Sequence, residues 1–169
     1  MGVQIVEGNV LDAPDYYIVH QVNNCGIMGG GLALQVRNRF PGLFEDYQAF
    51  CLRWSFEEKK KRGFIHLFET EKKDHVIVGV FGQNGLGRNK NYTDYEALEA
   101  GLISVATLCN ACEKTAALPF GIGCGLAGGD WKTVYPIIKR TFIESNATIY
   151  RLPSPRVGES DRWTRKIQG

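Results

Sequence analysis

Short runs of apolar residues recur along the chain and predict its β-strands. Residues 3–7 alternate apolar and polar side chains, which indicates an outer strand. Residues 16–22 are β-branched and aromatic enough for a buried central strand. Four further runs predict strands at residues 64–68, 75–81, 116–119 and 147–152.

Between these runs the apolar positions follow helical spacing and predict helices at residues 31–40, at 43–54, from the segment 93–96 to about 112, and at 131–143. Thr93 and Glu96 are the predicted capping box of the third helix, and Asp130 is the predicted N-cap of the fourth. The basic run 59–62 follows two glutamates and is interpreted as a solvated face. Strands that alternate with helices predict an α/β fold, with helices on both faces of a mixed, largely parallel sheet.

The composition is that of an ordinary globular protein. The chain has 169 residues, 44% of them hydrophobic and 22% charged, which fits one domain with a sizeable core. A net charge of +2 gives no reason to expect a nucleic acid or a membrane as partner. No apolar run approaches the length of a membrane span, and residues 1–8 lack the pattern of a signal peptide. A cytoplasmic location is therefore expected.

The five cysteines and three histidines do not form a metal-binding pattern. Cys109 and Cys112 stand inside a predicted helix without a second pair, so we expect no zinc site, no other metal and no cofactor. Cys25 and Cys124 lie in glycine-rich segments, and neither has a basic partner nearby in sequence. We interpret both as small residues that fit tight turns.

Three glycine-rich segments follow predicted strands, at residues 23–31, 82–87 and 121–129. Because the carboxyl ends of parallel strands gather at one edge of a sheet, these segments are expected to converge. Glycines let backbone N–H groups approach a ligand closely, and a helix that begins near Gly31 adds unpaired donors. The first segment matches neither G-x-x-x-x-G-K-[ST] nor G-x-G-x-x-G. The pattern predicts either a backbone-lined cradle for a diphosphate or a set of turns that bind nothing.

Two polar residues near this edge are candidates for recognition and chemistry. Asn9 follows the first predicted strand, where an amide suits the edge of an adenine or the cap of a turn. His20 lies on the central strand, and its ordinary pKa near neutrality suits proton transfer. A strand histidine can equally be a packed core residue. The sequence leaves these alternatives open.

Three segments resemble the signature segments of the macrodomain family: G-N-V-L at residues 8–11, V-N-N-C-G-I-M-G-G-G-L-A at 22–33 and I-G-C-G-L-A-G-G-D-W at 122–131. The likeness assigns residues 1–152 to a macrodomain and leaves 153–169 as a C-terminal tail. It implies a three-layer α/β/α sandwich that binds ADP-ribose. It also implies adenine near Gly8, Asn9 and Val10, the distal ribose beside Asn23, Gly29, Gly30, Gly31 and Leu32, and the diphosphate between that loop and Ile122, Gly123, Cys124, Gly125 and Leu126.

Within the family, the segments H-Q-V-N-N-C-G and F-P-G-L-F-E-D-Y are most similar to ADP-ribose-1″-phosphate phosphatases. This resemblance implies a hydrolase that acts at the distal ribose, with His20 transferring a proton and Asn23 orienting the ribose or the water. A reader that binds ADP-ribose without turnover is one alternative, and a glycohydrolase that reverses ADP-ribosylation is another. The expected partner is ADP-ribose, its 1″-phosphate or an ADP-ribosylated macromolecule.

Overall fold

The computed structural model describes residues 1–153 and places six strands in one sheet. The strands are β1 (Gly2–Glu7), β2 (Tyr17–Asn23), β3 (Ile65–Glu69), β4 (Val76–Gln83), β5 (Ala116–Pro119) and β6 (Asn146–Arg151). They lie in the order β1-β6-β5-β2-β4-β3, and all neighbours are parallel except β3 and β4. The mixed, largely parallel sheet is confirmed. Residues 154–169 of the predicted tail lie outside the described residues.

Helices cover both faces of the sheet. They are α1 (Gly31–Arg39), α2 (Leu43–Arg53), α3 (Phe56–Arg62), α4 (Tyr95–Cys112) and α5 (Trp131–Thr141), with a 3-10 turn at Val10–Asp12. One apolar core lies between the sheet and α4 and α5, and a second lies between the sheet, the 3-10 turn, α1 and α2. This is the expected α/β/α sandwich. No helix within residues 1–153 combines the length and the apolarity that crossing a bilayer requires.

Alternation along β2 decides which core each of its side chains enters. Tyr17 and Val19 belong to the core under α4 and α5, whereas Ile18 and Val22 belong to the core under α1 and α2. The same alternation places His20 on the α1 and α2 side, where it is buried.

The five parallel strands end at the same edge of the sheet. The segment that follows β1 lies at one end of this edge. The segments that follow β5 and β2 lie in the middle, and the segment that follows β4 lies next to the one after β2. Three strand spacings separate β1 from β2, which is roughly 14 Å at the usual spacing between strands. The edge can therefore hold an elongated ligand.

The basic run lies in helix α3, and the structure corrects its interpretation as a solvated face at one position: Lys61 and Arg62 are exposed and Lys60 is half-buried, but Lys59 is buried. Ser55 caps α3 by accepting a hydrogen bond from the Glu58 N–H at 3.2 Å. Basic residues at the end of a helix are favourable beside its carbonyl groups. Phe56 and Lys59 are three residues apart, face the same side and are both buried.

The cap of α4 also differs from the prediction by one residue. Asp94, and not Thr93, accepts the hydrogen bond from the helix, from the Ala97 N–H at 3.0 Å. Thr93 instead donates to the Gly123 carbonyl oxygen at 2.6 Å. The cap of α5 is confirmed, since Asp130 accepts from the Lys132 N–H at 3.0 Å.

Candidate functional site

The three glycine-rich loops meet at the carboxyl edge of the sheet. We call them loop one (residues 24–30), loop two (84–94) and loop three (120–130). Asn24 joins loop one to loop two, because its Oδ1 accepts from the Gly85 N–H at 3.1 Å. Loop two reaches loop three where the Tyr92 N–H donates to the Ala127 carbonyl oxygen at 2.7 Å. The predicted convergence of the loops is confirmed.

Loop one also approaches loop three directly. A Cβ atom added at Gly30 would lie 3.0 Å from Cδ1 of Leu126, and one added at Gly31 would lie 3.5 Å from it. Gly31 has a φ of +56°, a conformation that side chains other than glycine rarely adopt. Because neither glycine has a side chain, the gap between loop one and loop three stays open to a ligand.

Side chains from β2 and α2 fix the shape of loop one. Asn23 Oδ1 accepts from the Cys25 N–H at 2.9 Å, and Asn23 Nδ2 donates to the Ile27 carbonyl oxygen at 2.7 Å. The Tyr47 hydroxyl lies 2.6 Å from the Asn23 carbonyl oxygen and 2.8 Å from its Oδ1. Gln48 donates to the Gly26 carbonyl oxygen at 3.0 Å. Loop one is thus held in place before any ligand arrives.

Several N–H groups of the two facing loops have no acceptor within residues 1–153. They belong to Gly30, Gly31 and Leu32 at the beginning of α1, and to Gly125 and Leu126 in loop three. The N-cap of α1 is Gly30, which has no side chain to accept from them. Free amides at a helix N-terminus favour an anion through their direction and through the helix dipole. The arrangement can bind phosphate oxygens without a lysine or an arginine.

A polar chain beneath the loops fixes loop three. Gln21 Nε2 donates to Thr93 Oγ1 at 3.0 Å, and Thr93 in turn donates to Gly123. Gly129 packs so tightly that an added Cβ would lie 2.5 Å from the Gly123 carbonyl oxygen. Loop three is therefore built around close contacts between backbone atoms.

The adenine end predicted from the resemblance lies beside β6. The Gly8 N–H donates to the Arg151 carbonyl oxygen at 2.9 Å, and an added Cβ at Gly8 would lie 3.3 Å from the ring of Tyr150. Asn9 caps the 3-10 turn, since its Oδ1 accepts from the Leu11 N–H at 3.0 Å. Val10 is buried in the core. Within residues 1–153, Asn9 Nδ2 has no hydrogen-bond partner and Oδ1 keeps one lone pair, so the amide can contact a ligand.

The predicted catalytic residue His20 lies inside the protein. Its side chain is 3% exposed, and Nδ1 has no hydrogen-bond partner within residues 1–153. Strand β4 lies between β2 and β3, and its Gly79 is paired with His20 of β2 on one side and with His66 of β3 on the other. The two imidazole rings therefore lie on the same face of the sheet. Burial, with a contribution from His66, lowers the pKa of His20 to about 4. The imidazole is therefore neutral at pH 7, and its catalytic role stays a prediction.

The cysteines in the loops differ in exposure. Cys25 is exposed, whereas Cys124 is half-buried in loop three. Burial, with a contribution from Asp130, raises the pKa of the Cys124 thiol to about 11, so it is not a thiolate at neutral pH. No group of three or more potential metal-ligating side chains occurs within residues 1–153.

Sequence reasoning missed the residues that support the loops. Tyr47 lies in the helix predicted at residues 43–54, and the sequence contains no signal of a partner for its hydroxyl. Gln48, Gln21 and Thr93 act through residues far away in the chain. The one available signal for Gln21 was its polar character, next to His20 on a mainly apolar strand.

Two surface depressions lie away from the loops. Each has a volume of about 560 Å³; one flanks β1 and β6 beside Asp15, and the other lies between β1 and α5. Neither includes a glycine of the three loops. We place the candidate site at the loops, because that is where unpaired N–H groups collect.

No protein-family model matches the chain. A DNA ADP-ribosyl transferase–DNA ADP-ribosyl glycohydrolase fusion protein of Thermosipho africanus is 27% identical, over 88% of this chain and 41% of that protein. An ADP-ribose 1″-phosphate phosphatase of Candida glabrata is 25% identical, over 89% of this chain and 98% of the phosphatase. The structure of the macrodomain of Thermus aquaticus DarG superimposes with a TM-score of 0.71 at 26% identity, over 89% of this chain and 98% of that one. The chain thus spans less than half of the fusion protein and nearly all of the phosphatase.

Proposed function

Because the chain belongs to the macrodomain family, we propose that it binds ADP-ribose along the carboxyl edge of its sheet and hydrolyses a derivative at the distal ribose. The observation that carries this proposal is the meeting of loops one and three around N–H groups that have no acceptor within residues 1–153. The preferred substrate is ADP-ribose-1″-phosphate, because a relative of nearly the same extent is a phosphatase for it.

The ligand fits the order of the strands in this proposal. Adenine lies near Gly8, Asn9 and Val10 at β1, the diphosphate lies between loops one and three, and the distal ribose lies beside loop one. Asn9 offers both a donor and an acceptor to the base. The distance along the edge from β1 to β2 leaves the length that a nucleotide with a second ribose requires.

Removal of the 1″-phosphate needs stabilisation of charge and a positioned water. Water attacks phosphorus, the bond from phosphorus to the ribose oxygen breaks, and that oxygen takes up a proton as ADP-ribose leaves. The free amides of loops one and three stabilise the charge on the transferred group. The proton acceptor in this proposal is His20, which is neutral at pH 7 and whose Nδ1 has no hydrogen-bond partner within residues 1–153.

A glycohydrolase that releases ADP-ribose from DNA is the second candidate. It is supported by the Thermosipho africanus fusion protein, which is named for that activity. In this case the bond that breaks joins the distal ribose to the nucleic acid, and loop one positions the attacking water. The same cleft serves both reactions, and they differ in the group that leaves.

The experiment is an analysis of products from three samples: ADP-ribose-1″-phosphate, an ADP-ribosylated oligonucleotide and ADP-ribose itself. We expect inorganic phosphate from the first and binding heat from the third. Free ADP-ribose from the oligonucleotide, without phosphate from the first sample, would select the second candidate. Absence of ADP-ribose binding at about 1 mM, where binding is already very weak, would reject both.

A matched pair of variants ties the activity to the loops. Gly30→Val narrows the gap toward Leu126 and should abolish both binding and turnover. Leu52→Ala changes a side chain that is 89% exposed on α2 and should leave both unchanged. Full activity in Gly30→Val would place the site elsewhere.

A further inference from the structure

Lys59 is a buried lysine that neither the cleft nor the proposed reaction uses directly. Its side chain is 2% exposed, its Nζ donates to the Cys51 carbonyl oxygen at 3.3 Å, and Nζ lies 4.7 Å from the centroid of the Phe81 ring. No carboxylate within residues 1–153 comes within 4.0 Å of Nζ. The next lysine differs, because Lys60 pairs with Asp94 at 2.9 Å. Lys59 therefore has no counter-ion within residues 1–153.

This charge lies behind loop one. Cys51, whose carbonyl oxygen accepts from Lys59, also places its Sγ 3.8 Å from the Asn23 carbonyl oxygen. The Tyr47 hydroxyl contacts the same oxygen. The titratable groups that act on the Lys59 ammonium are the thiols of Cys51 and Cys25, and Cys25 belongs to loop one.

The structural role of Lys59 accounts for only part of its environment. Cys51 is in the last turn of α2, where an ammonium stabilises the unpaired carbonyl groups of a helix, and the face of Phe81 attracts a cation. Burial still lowers the pKa of Lys59, because the charged form has left water. A charge in such surroundings is screened less by salt and solvent than a charge on the surface.

We propose that Lys59 determines substrate specificity: its buried charge favours an ADP-ribose derivative with a phosphate on the distal ribose over one joined through an uncharged glycosidic bond. The proposal rests on the proposed placement of the distal ribose beside loop one. Lys59 touches no substrate atom. The charge of Lys59 acts electrostatically through loop one, across Asn23. A phosphate on the distal ribose adds negative charge on the far side of that loop and is attracted to Lys59.

The test compares Lys59→Met with Lys61→Met, which removes the same charge from an exposed position of the same helix. Affinity for ADP-ribose is measured by calorimetry. For ADP-ribose-1″-phosphate we measure kcat/KM if the protein releases phosphate from it. If no phosphate is released, we measure its affinity by calorimetry. For charges about 10 Å apart at an effective dielectric near 20, loss of one charge costs roughly ten-fold in binding.

We expect Lys59→Met to lose roughly ten-fold toward the phosphorylated ligand and about two- to three-fold toward ADP-ribose, and Lys61→Met to lose less than about two-fold toward either. Equal losses toward both ligands in Lys59→Met would overturn the proposal. An unequal loss without phosphate release would support it and reject only the phosphatase activity. Failure of the unmodified protein to bind ADP-ribose would overturn both.

A second measurement avoids the risk that Lys59→Met does not fold. The pKa of Lys59 is followed in the unmodified protein through the ¹³C resonance of its Cε, with and without each ligand. By linkage, a nearby anion must raise this pKa, and we expect the phosphorylated ligand to raise it more than ADP-ribose does. An unchanged pKa would overturn the proposal.

Discussion

The two helical layers bury different kinds of side chain. The buried basic residues within residues 1–153 are His20, Lys59 and His66, and all three lie on the side of α1, α2 and α3. On the side of α4 and α5, a buried polar group such as Ser145 is neutral and bonds to Asn110.

The difference follows from what each layer supports. The layer of α1 and α2 holds loop one through Tyr47 and Gln48, so these two side chains support the site. The layer of α4 and α5 contacts loop three, because the Tyr95 hydroxyl accepts from the Asp130 N–H at 3.0 Å and Trp131 packs on Phe120. Within residues 1–153, no side chain of these two helices hydrogen-bonds to loop one. Changes in the first layer should alter binding, and changes in the second should alter mainly stability.

The largest effect on stability is expected from Leu102→Ala. Leu102 is fully buried in α4, and such a truncation costs about 2–5 kcal/mol of unfolding free energy. Affinity for ADP-ribose should stay within about two-fold, because Leu102 lies in the core under α4 and α5 and belongs to none of the three loops. Urea unfolding and calorimetry measure the two quantities, and a large loss of affinity in the folded variant would remove the distinction between the layers.

Acid should destabilise the protein through His20. Its pKa in the folded state, about 4, is below its ordinary value of 6.5, so the unfolded chain binds the proton more readily. Stability should therefore fall as pH drops from about 6.5 to 4, by up to roughly 3 kcal/mol, and should not change through this group above that window. His20→Leu should flatten this part of the profile and, if His20 is catalytic, also abolish turnover. An unchanged slope would contradict the burial, and full turnover would end the catalytic assignment.

Loop three offers a matched pair of glycines. Gly129→Ala forces a Cβ against the Gly123 carbonyl oxygen and should cost about 1–3 kcal/mol. The Cβ added by Gly125→Ala has no atom within 4 Å, so this substitution should cost less than about 0.5 kcal/mol of unfolding free energy. Thermal unfolding of both variants measures the difference. Equal stabilities would mean that loop three is not held by backbone contacts.

The smallest change is the removal of one hydroxyl from each layer. Tyr47→Phe loses the contacts to Asn23, which should cost about 1 kcal/mol of stability and weaken ADP-ribose binding several-fold. Tyr135→Phe, on α5, loses no hydrogen bond within residues 1–153 and should match the unmodified protein. Calorimetry measures ADP-ribose binding to both variants. Unchanged binding in Tyr47→Phe would show that loop one keeps its shape without the hydrogen bonds from the Tyr47 hydroxyl.

Patterns within short segments could be predicted from the sequence. The alternation at residues 3–7 and the run at 116–119 identify β1 and β5, because strand side chains follow a period of two. The meeting of the loops followed from parallel strands ending at one edge. Asp130 was recognisable as a cap because its partner is two residues away.

Contacts between distant segments could not be predicted. The face on which His20 lies depends on the register of β2 against β4. The role of Asn23 depends on Tyr47, which is 24 positions further along the chain. Lys59 looked like one of several solvated lysines, and only the packing of α3 against Phe81 distinguishes it.

The central claim is that ADP-ribose binds between loops one and three. The most direct measurement is titration of ¹⁵N-labelled protein with ADP-ribose, followed through amide chemical shifts. The largest changes should occur at Gly30, Gly31, Leu32, Gly125 and Leu126, whose N–H groups have no acceptor within residues 1–153. Changes confined to the depressions beside β1, with these five amides unmoved, would contradict the account.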